Sequence, residues 1–105
     1  MSDDPQVMPV MELVAYQTGG IVSRQIIKRG AGNVTAFAFD AGQELTEHTS
    51  PFDALVHVVE GDAHISIGGD PRRVHAGEML LLPANVPHAV KAVSRFKMIL
   101  TMIRS

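Results

Sequence analysis

The chain of 105 residues contains no cysteine. It can therefore form no disulfide framework and supply no thiol chemistry. It also lacks a dominant charge. Nine basic and 11 acidic residues leave a net charge of -2, which gives no electrostatic reason to expect nucleic acid or an anionic membrane as a partner. No apolar run approaches the ~20 residues that a membrane-spanning helix needs. The start, Met1, Ser2, Asp3, Asp4, Pro5, lacks the basic-then-apolar layout of a signal peptide, so the expected compartment is the cytoplasm. No capped stretch shows helical periodicity. There is no serine in a glycine-flanked nucleophile turn and no glycine-rich phosphate loop, which removes the commonest hydrolase and nucleotide templates.

What is present reads as short strands. The apolar content is 46%, and folding at this length buries roughly two-thirds of the unfolded surface. One core is therefore expected, in a single domain over residues 10–105 behind a loose arm at 1–9. Val10 to Tyr16 reads as a short strand or turn. Ile21 to Lys28 alternates, and Val34 to Phe39 sets Phe37 and Phe39 on one face. Leu55 to Val59 is a β-branched run stopped by Glu60 and Gly61. Ala63, Ile65 and Ile67 alternate with His64 and Ser66, as in a half-buried strand. Gly68 to Pro71 reads as a turn, with Arg72 to His75 a short strand after it. Met79 to Leu82, His88 to Ala92 and Phe96 to Ile103 complete the set. Many short strands split by glycine and proline point to an all-β sandwich or barrel.

Two stretches carry a more specific pattern. Gly42, His48, Ser50, Ala54 and Gly61 follow one another at the intervals of a Gly, His, His, Glu, Gly motif. Ser50 stands at the second His and Ala54 at the Glu. Gly77, Pro83, Asn85, His88 and Ala92 follow the intervals of a Gly, Pro, Gly, His, Asn motif, with Asn85 for the second Gly and Ala92 for the final Asn. The pair resembles the two motifs of the cupin superfamily. The resemblance implies a small cupin of the jelly-roll type, a double-stranded β-helix that manages its sheet edges by closure. It implies that His48 and His88 are metal ligands, and that the positions of Ser50 and Ala54 are lost ones. It also implies that related small cupins include dioxygenases, isomerases, lyases and binding modules, often as homodimers.

The expected site follows from these residues. Imidazole suits Zn, Fe, Ni and Cu, with Mn also within reach of a mixed site. Structural zinc wants four protein ligands and catalytic zinc three with a water. His48 and His88 alone would hold a divalent metal weakly, at low occupancy. Glu44 shares the parity of His48, and Asp53 adjoins the lost carboxylate, so these are the acids that remain to be weighed as a third donor. His57, His64 and His75 read as structural or surface residues. Ser50, Ala54, Val56, Val58, Val90, Phe96, Met98 and Met102 are expected to line an apolar pocket with a small polar end. The expected function is to bind a small molecule there. The alternative is a metal-dependent dioxygenase, isomerase or lyase acting on a small carbonyl, enol or phenol. Leu55, Val59, Ile99 and Ile103 would leave an apolar outer surface, so a homodimer is expected.

Overall fold

The computed structural model describes residues 5–104, and so part of the expected arm, residues 1–4, lies outside the described residues. Pro5 to Pro9 are exposed and belong to no helix or strand. The expected strand or turn at Val10 is a single 3-10 turn, Val10–Glu12. Nine strands follow: β1 (Ile21–Arg29), β2 (Gly32–Phe39), β3 (Glu44–His48), β4 (Asp53–Glu60), β5 (Asp62–Ile67), β6 (Asp70–His75), β7 (Met79–Leu82), β8 (His88–Lys91) and β9 (Phe96–Ile103). All pairings are antiparallel. They form a five-stranded sheet in the order β1-β2-β9-β4-β7 and a four-stranded sheet in the order β3-β8-β5-β6. Two antiparallel sheets with strands alternating between them make the jelly-roll barrel.

The inner faces are set by period-two alternation. Phe39, Val56, Val58, Phe96 and Met98 from one sheet meet Ala63, Ile65, Val74 and Val90 from the other in one buried cluster. Phe39 and Phe96 are both fully buried and stack with ring centroids 4.6 Å apart. Burying two such rings stabilises the fold by about 1.5–3 kcal/mol each. This stack closes one end of the barrel. Gly61 is part of the closure. Its φ is 75°, and a Cβ there would fall on the Arg95 carbonyl oxygen and the Phe96 backbone. Only glycine meets both demands.

Pro71 lies inside β6 rather than in the preceding turn, which is confined to Gly68 and Gly69. A proline is tolerated there because β6 is an edge strand, where a missing N–H breaks no ladder on the open side.

The N-terminal segment covers part of the five-stranded sheet from outside. Leu13 and Val14 bury against Ala36 and Ala38, with Val22, Ile26, Ile99 and Tyr16 around them. The two alanines leave room for that contact. The Tyr16 ring lies against the Arg95 guanidinium, 5.1 Å away, and the Lys97 ammonium, 4.9 Å away. Lys97 also donates to the Met11 carbonyl at 2.7 Å. The Tyr16 hydroxyl is buried without a hydrogen-bond partner. Burial, with the nearby Glu60 charge, pushes its pKa up to about 12.

Candidate functional site

His48 is the last residue of β3 and His88 the first of β8, and the two strands pair with these residues opposite one another. The rings meet edge to face, with centroids 4.3 Å apart and planes at 65°. Each ring is anchored by the carbonyl two residues before it. His48 Nδ1 lies 2.8 Å from the Thr46 oxygen and His88 Nδ1 lies 3.2 Å from the Val86 oxygen. A carbonyl only accepts, so in both neutral rings the proton sits on Nδ1 and the Nε2 lone pair is left for a metal or a ligand. His48 is exposed and His88 half-buried.

A bulge in β3 determines which residues share the site. Leu45 pairs with Val90 and His48 with His88, so Thr46 and Glu47 together oppose Ala89. The extra residue shifts the alternation. Leu45 and His48 therefore face inward, although an odd number of positions separates them. This corrects the parity argument for Glu44. Glu44 lies opposite Lys91, exposed on the outer face, and does not accompany His48.

The other candidates are placed as follows. Ser50 is half-buried in the loop after β3, where its hydroxyl oxygen accepts the Phe52 N–H at 3.2 Å. Its carbonyl accepts the Asn85 N–H at 2.8 Å, which ties that loop to the Pro83–Pro87 loop. Asn85 has φ 65°, the one non-glycine residue with positive φ among the described residues. Asparagine tolerates this left-handed backbone, which explains how it stands at a glycine position without breaking the loop. The Asp53 carboxylate accepts the Ala84 N–H at 2.9 Å and serves the same loop junction. Ala54 is buried on the inner face of β4, between Met102 and Leu82.

Among the described residues, no group of three or more His, Cys, Asp or Glu is placed to hold a metal ion. Two free imidazole nitrogens fit a weakly held ion completed by water. They do not fit a closed structural site or a three-ligand catalytic one.

The expected pocket lining divides into two parts. Val56, Val58, Phe96 and Met98 are core residues at 0–2% exposure. At Phe96 and Val58 the packing is that of a floor rather than of an open pocket. Met102 is half-buried against the same cluster. A groove of about 590 Å³ instead lies on the outer face of the four-stranded sheet, where Val90 is the one expected residue among its lining. Sequence reasoning missed this groove. Its residues are the outward ones of each alternating strand, Glu44, His64, Ser66, Ala89 and Lys91 among them, a pattern legible strand by strand but not as one surface.

His57 pairs with Ile99 and Met79 on the outer face of the five-stranded sheet, away from the two histidines. His75 is exposed and bonds Asp62 at 2.6 Å. The Arg73 guanidinium and the His75 ring hold the Asp62 carboxyl below the usual carboxylate range.

Two antiparallel sheets closed on one core, with a histidine at the start of one strand facing a histidine at the end of another, define the class. The chain belongs to the cupin family, whose cupin domain model matches residues 36–104. It is similar to a conserved protein of unknown function from Streptococcus pyogenes, at 33% identity and TM-score 0.92, over 99% of this chain and 91% of that one. It is also similar to a cupin 2 conserved barrel domain protein from Leptotrichia buccalis, at 39% identity and TM-score 0.87, over 90% of this chain and 46% of that longer one. A cupin superfamily protein from Desulfitobacterium hafniense shares the fold at 21% identity and TM-score 0.89, over 100% of this chain and 94% of that one. No curated protein matches the chain. No helix among the described residues is long and apolar enough to cross a membrane.

Proposed function

We propose that this cupin binds a small molecule at the open end of its barrel through His48 and His88, and that the pair also takes up a divalent metal weakly. The observation that carries the reading is the paired anchoring of the two rings. Both Nδ1 atoms face backbone carbonyls while the ring centroids sit 4.3 Å apart, which supports two neighbouring rings whose Nε2 lone pairs are free. Half-buried Met102 supplies the apolar side of the ligand's surroundings, with Ala54, Val56 and Val90 packed behind it, and Ser50 retains a hydroxyl proton to donate. A metal-dependent enzyme acting on a small carbonyl, enol or phenol needs a further protein donor. The bulge turns Glu44 away and the loop occupies Asp53, so the binding reading stands ahead. A cytoplasmic setting suits a chain without cysteine, which needs no oxidising compartment to fold.

The test is calorimetric titration with Zn, Ni, Mn, Fe and Cu salts of protein purified without a histidine tag. Weak binding is expected for the natural chain. The double substitution Ser50→His and Ala54→Glu restores the two missing donors. Even changes to groups that only hydrogen-bond a ligating side chain move metal affinity by roughly 10- to 100-fold, so tightening of about that size or more is expected. If the double variant binds no better than its parent, Ala54 does not face the two rings and the site is wrongly drawn.

The same reading includes a homodimer through the outer face of the five-stranded sheet. Met79, Leu81, Ile27 and Ile103 are 57%, 60%, 46% and 57% exposed there, beside the half-buried Leu55, Val59 and Ile99. Light scattering should show a dimer that Leu81→Lys converts to monomer. A monomer at high micromolar concentration would remove the proposal.

A further inference from the structure

The outer groove has a construction that the barrel's open end does not explain. Every residue lining it comes from β3, β8, β5 or β6, and none from the five-stranded sheet. Side-chain size makes the hollow. Ala89 and Ser66 pair directly on the two central strands, with Pro71 next in the same row. Glu44 and Glu47 rise from edge strand β3 on one side, and Arg73 from edge strand β6 on the other. A row of short residues between two rims of long ones leaves a trough on what would otherwise be a convex surface. Its volume, about 590 Å³, lies within the range of roughly 300–1,000 Å³ seen for small-molecule sites.

The charges are ordered as well. Lys91 lies opposite His64, and His64 lies opposite Arg73, so three nitrogen donors stand in one line across three strands. Directly opposed residues on one face are roughly 5 Å apart, so the three side chains can reach one ligand group. Protein partners occupy few of these donors. Arg73 gives one nitrogen to Asp62 at 2.8 Å and keeps the remainder of its guanidinium. Among the described residues, Lys91 and His64 make no side-chain hydrogen bond, and Lys91 has no carboxylate within 4.0 Å, although Glu44 stands opposite it. The Ser66 hydroxyl, in the next row, is likewise unspent. The acidic rim of Glu44 and Glu47 lies at the far side of the trough, beyond Lys91.

We propose that this groove is a second ligand site, separate from His48 and His88, for a small molecule that carries one phosphate or carboxylate. The anionic group sits on the line Lys91, His64 and Arg73, with Ser66 as a fourth donor. The body of the molecule lies over Ala89 and Pro71. The acidic rim favours a hydroxyl or ammonium at the other end and disfavours a second anion. A single negative group answers the two cations of the row and the unspent donors between them.

The test uses amide chemical shifts of the whole chain, titrated with inorganic phosphate, with ethanolamine phosphate and with glutarate. The expected result is saturable shifts confined to residues 64–66, 71–73 and 89–91. Ethanolamine phosphate should bind tightest and the dianion glutarate weakest. Lys91→Gln and Arg73→Gln should each weaken phosphate by about tenfold, as loss of a charge-assisted hydrogen bond does, with the spectrum unchanged beyond the substituted residue's neighbours and, for Arg73, its partner Asp62 and the adjoining His75. His48→Gln should leave the titration as it was. Linear, unsaturating shifts overturn the proposal, and so do shifts that survive both substitutions or that centre on His48 and His88.

Discussion

The two ends of this barrel are built from the same alternating strands to opposite effect. At one end Phe39 and Phe96 stack, Ala63 and Ala92 are fully buried, and Gly61 lets the backbone close over them. At the other end the inward positions include His48, His88 and Ile67, none of them fully buried, and the Ser50 and Asn85 loops hold the rim. The closed end spends its side chains on packing. The open end spends its backbone on orienting two rings and leaves their outer nitrogens uncommitted. Packing and the proposed binding thus fall to different residues of the same strands. β8 shows this within four positions, from half-buried His88 to buried Val90.

The largest effect that would test this division is at the closed end. Phe96→Ala removes a fully buried ring and its stacking partner's contact, which should destabilise by about 3–5 kcal/mol. Urea unfolding would measure it. Metal or ligand affinity of the folded fraction should stay unchanged. A loss of affinity without unfolding would show that the two ends are coupled.

The complementary change is at the open end. His88→Ala should abolish metal uptake in the calorimeter, while the midpoint of thermal unfolding moves little, because a half-buried ring held by one hydrogen bond contributes only about 0.5–1.5 kcal/mol by that bond. A midpoint drop as large as that of Phe96→Ala would make His88 a core residue and remove the distinction.

The legibility of the two ends differed for a physical reason. The closed end depends on alternation and on glycines, and both are written in residue types. Phe37, Phe39, Val56, Val58, Phe96 and Met98 take the faces their spacing predicts, and the cupin-like intervals place Gly42, Gly61 and Gly77, all of which have positive φ. The open end depends on register. The bulge at Thr46 and Glu47 carries no composition signal, since neither residue is a glycine, yet it reverses the face of every residue before it. Glu44 was misplaced for that reason. Ser50 and Asp53 were legible as turn residues but not as the clamps on Asn85 and Ala84, because those contacts join loops more than thirty residues apart. The outer groove was unreadable for a similar reason: a row of small residues becomes a floor only once four strands are placed side by side.

Tyr16→Phe asks whether the covered outer surface near the closed end uses its polar atoms. The hydroxyl is buried and unpartnered, and the neighbouring Arg95 and Lys97 lie against the ring rather than bonding the oxygen. Removing an unsatisfied buried hydroxyl relieves its desolvation cost, so the variant should be as stable as its parent or slightly more so, within about 1 kcal/mol. A clear loss of stability would show a hydrogen bond to the oxygen, with Glu60 as the acceptor.

The smallest effect is in the acid limb of stability. Asp40 fastens the turn that leads from the closed end into β3. The Gly19 N–H and the Arg95 guanidinium each reach it at 2.7 Å, and they hold its carboxyl below the usual carboxylate range. A carboxyl depressed in the folded state binds fewer protons there than in the unfolded chain. Its contribution is therefore complete above the ordinary carboxylate value of about 3.9 and is lost as pH falls through the lower folded value. Asp62, held by Arg73 and His75, adds a second contribution of the same sign. The midpoint of thermal unfolding should accordingly be level with respect to these two groups near neutrality and fall below about pH 4. Asp40→Asn should lower the midpoint at neutral pH and make the fall below pH 4 shallower, because the variant has one proton fewer to take up. Asp62 would account for part of the slope that remains. An acid limb as steep in Asp40→Asn as in the natural chain would mean that Asp40 does not fasten the closed end, and that its contacts with Gly19 and Arg95 are not held in solution.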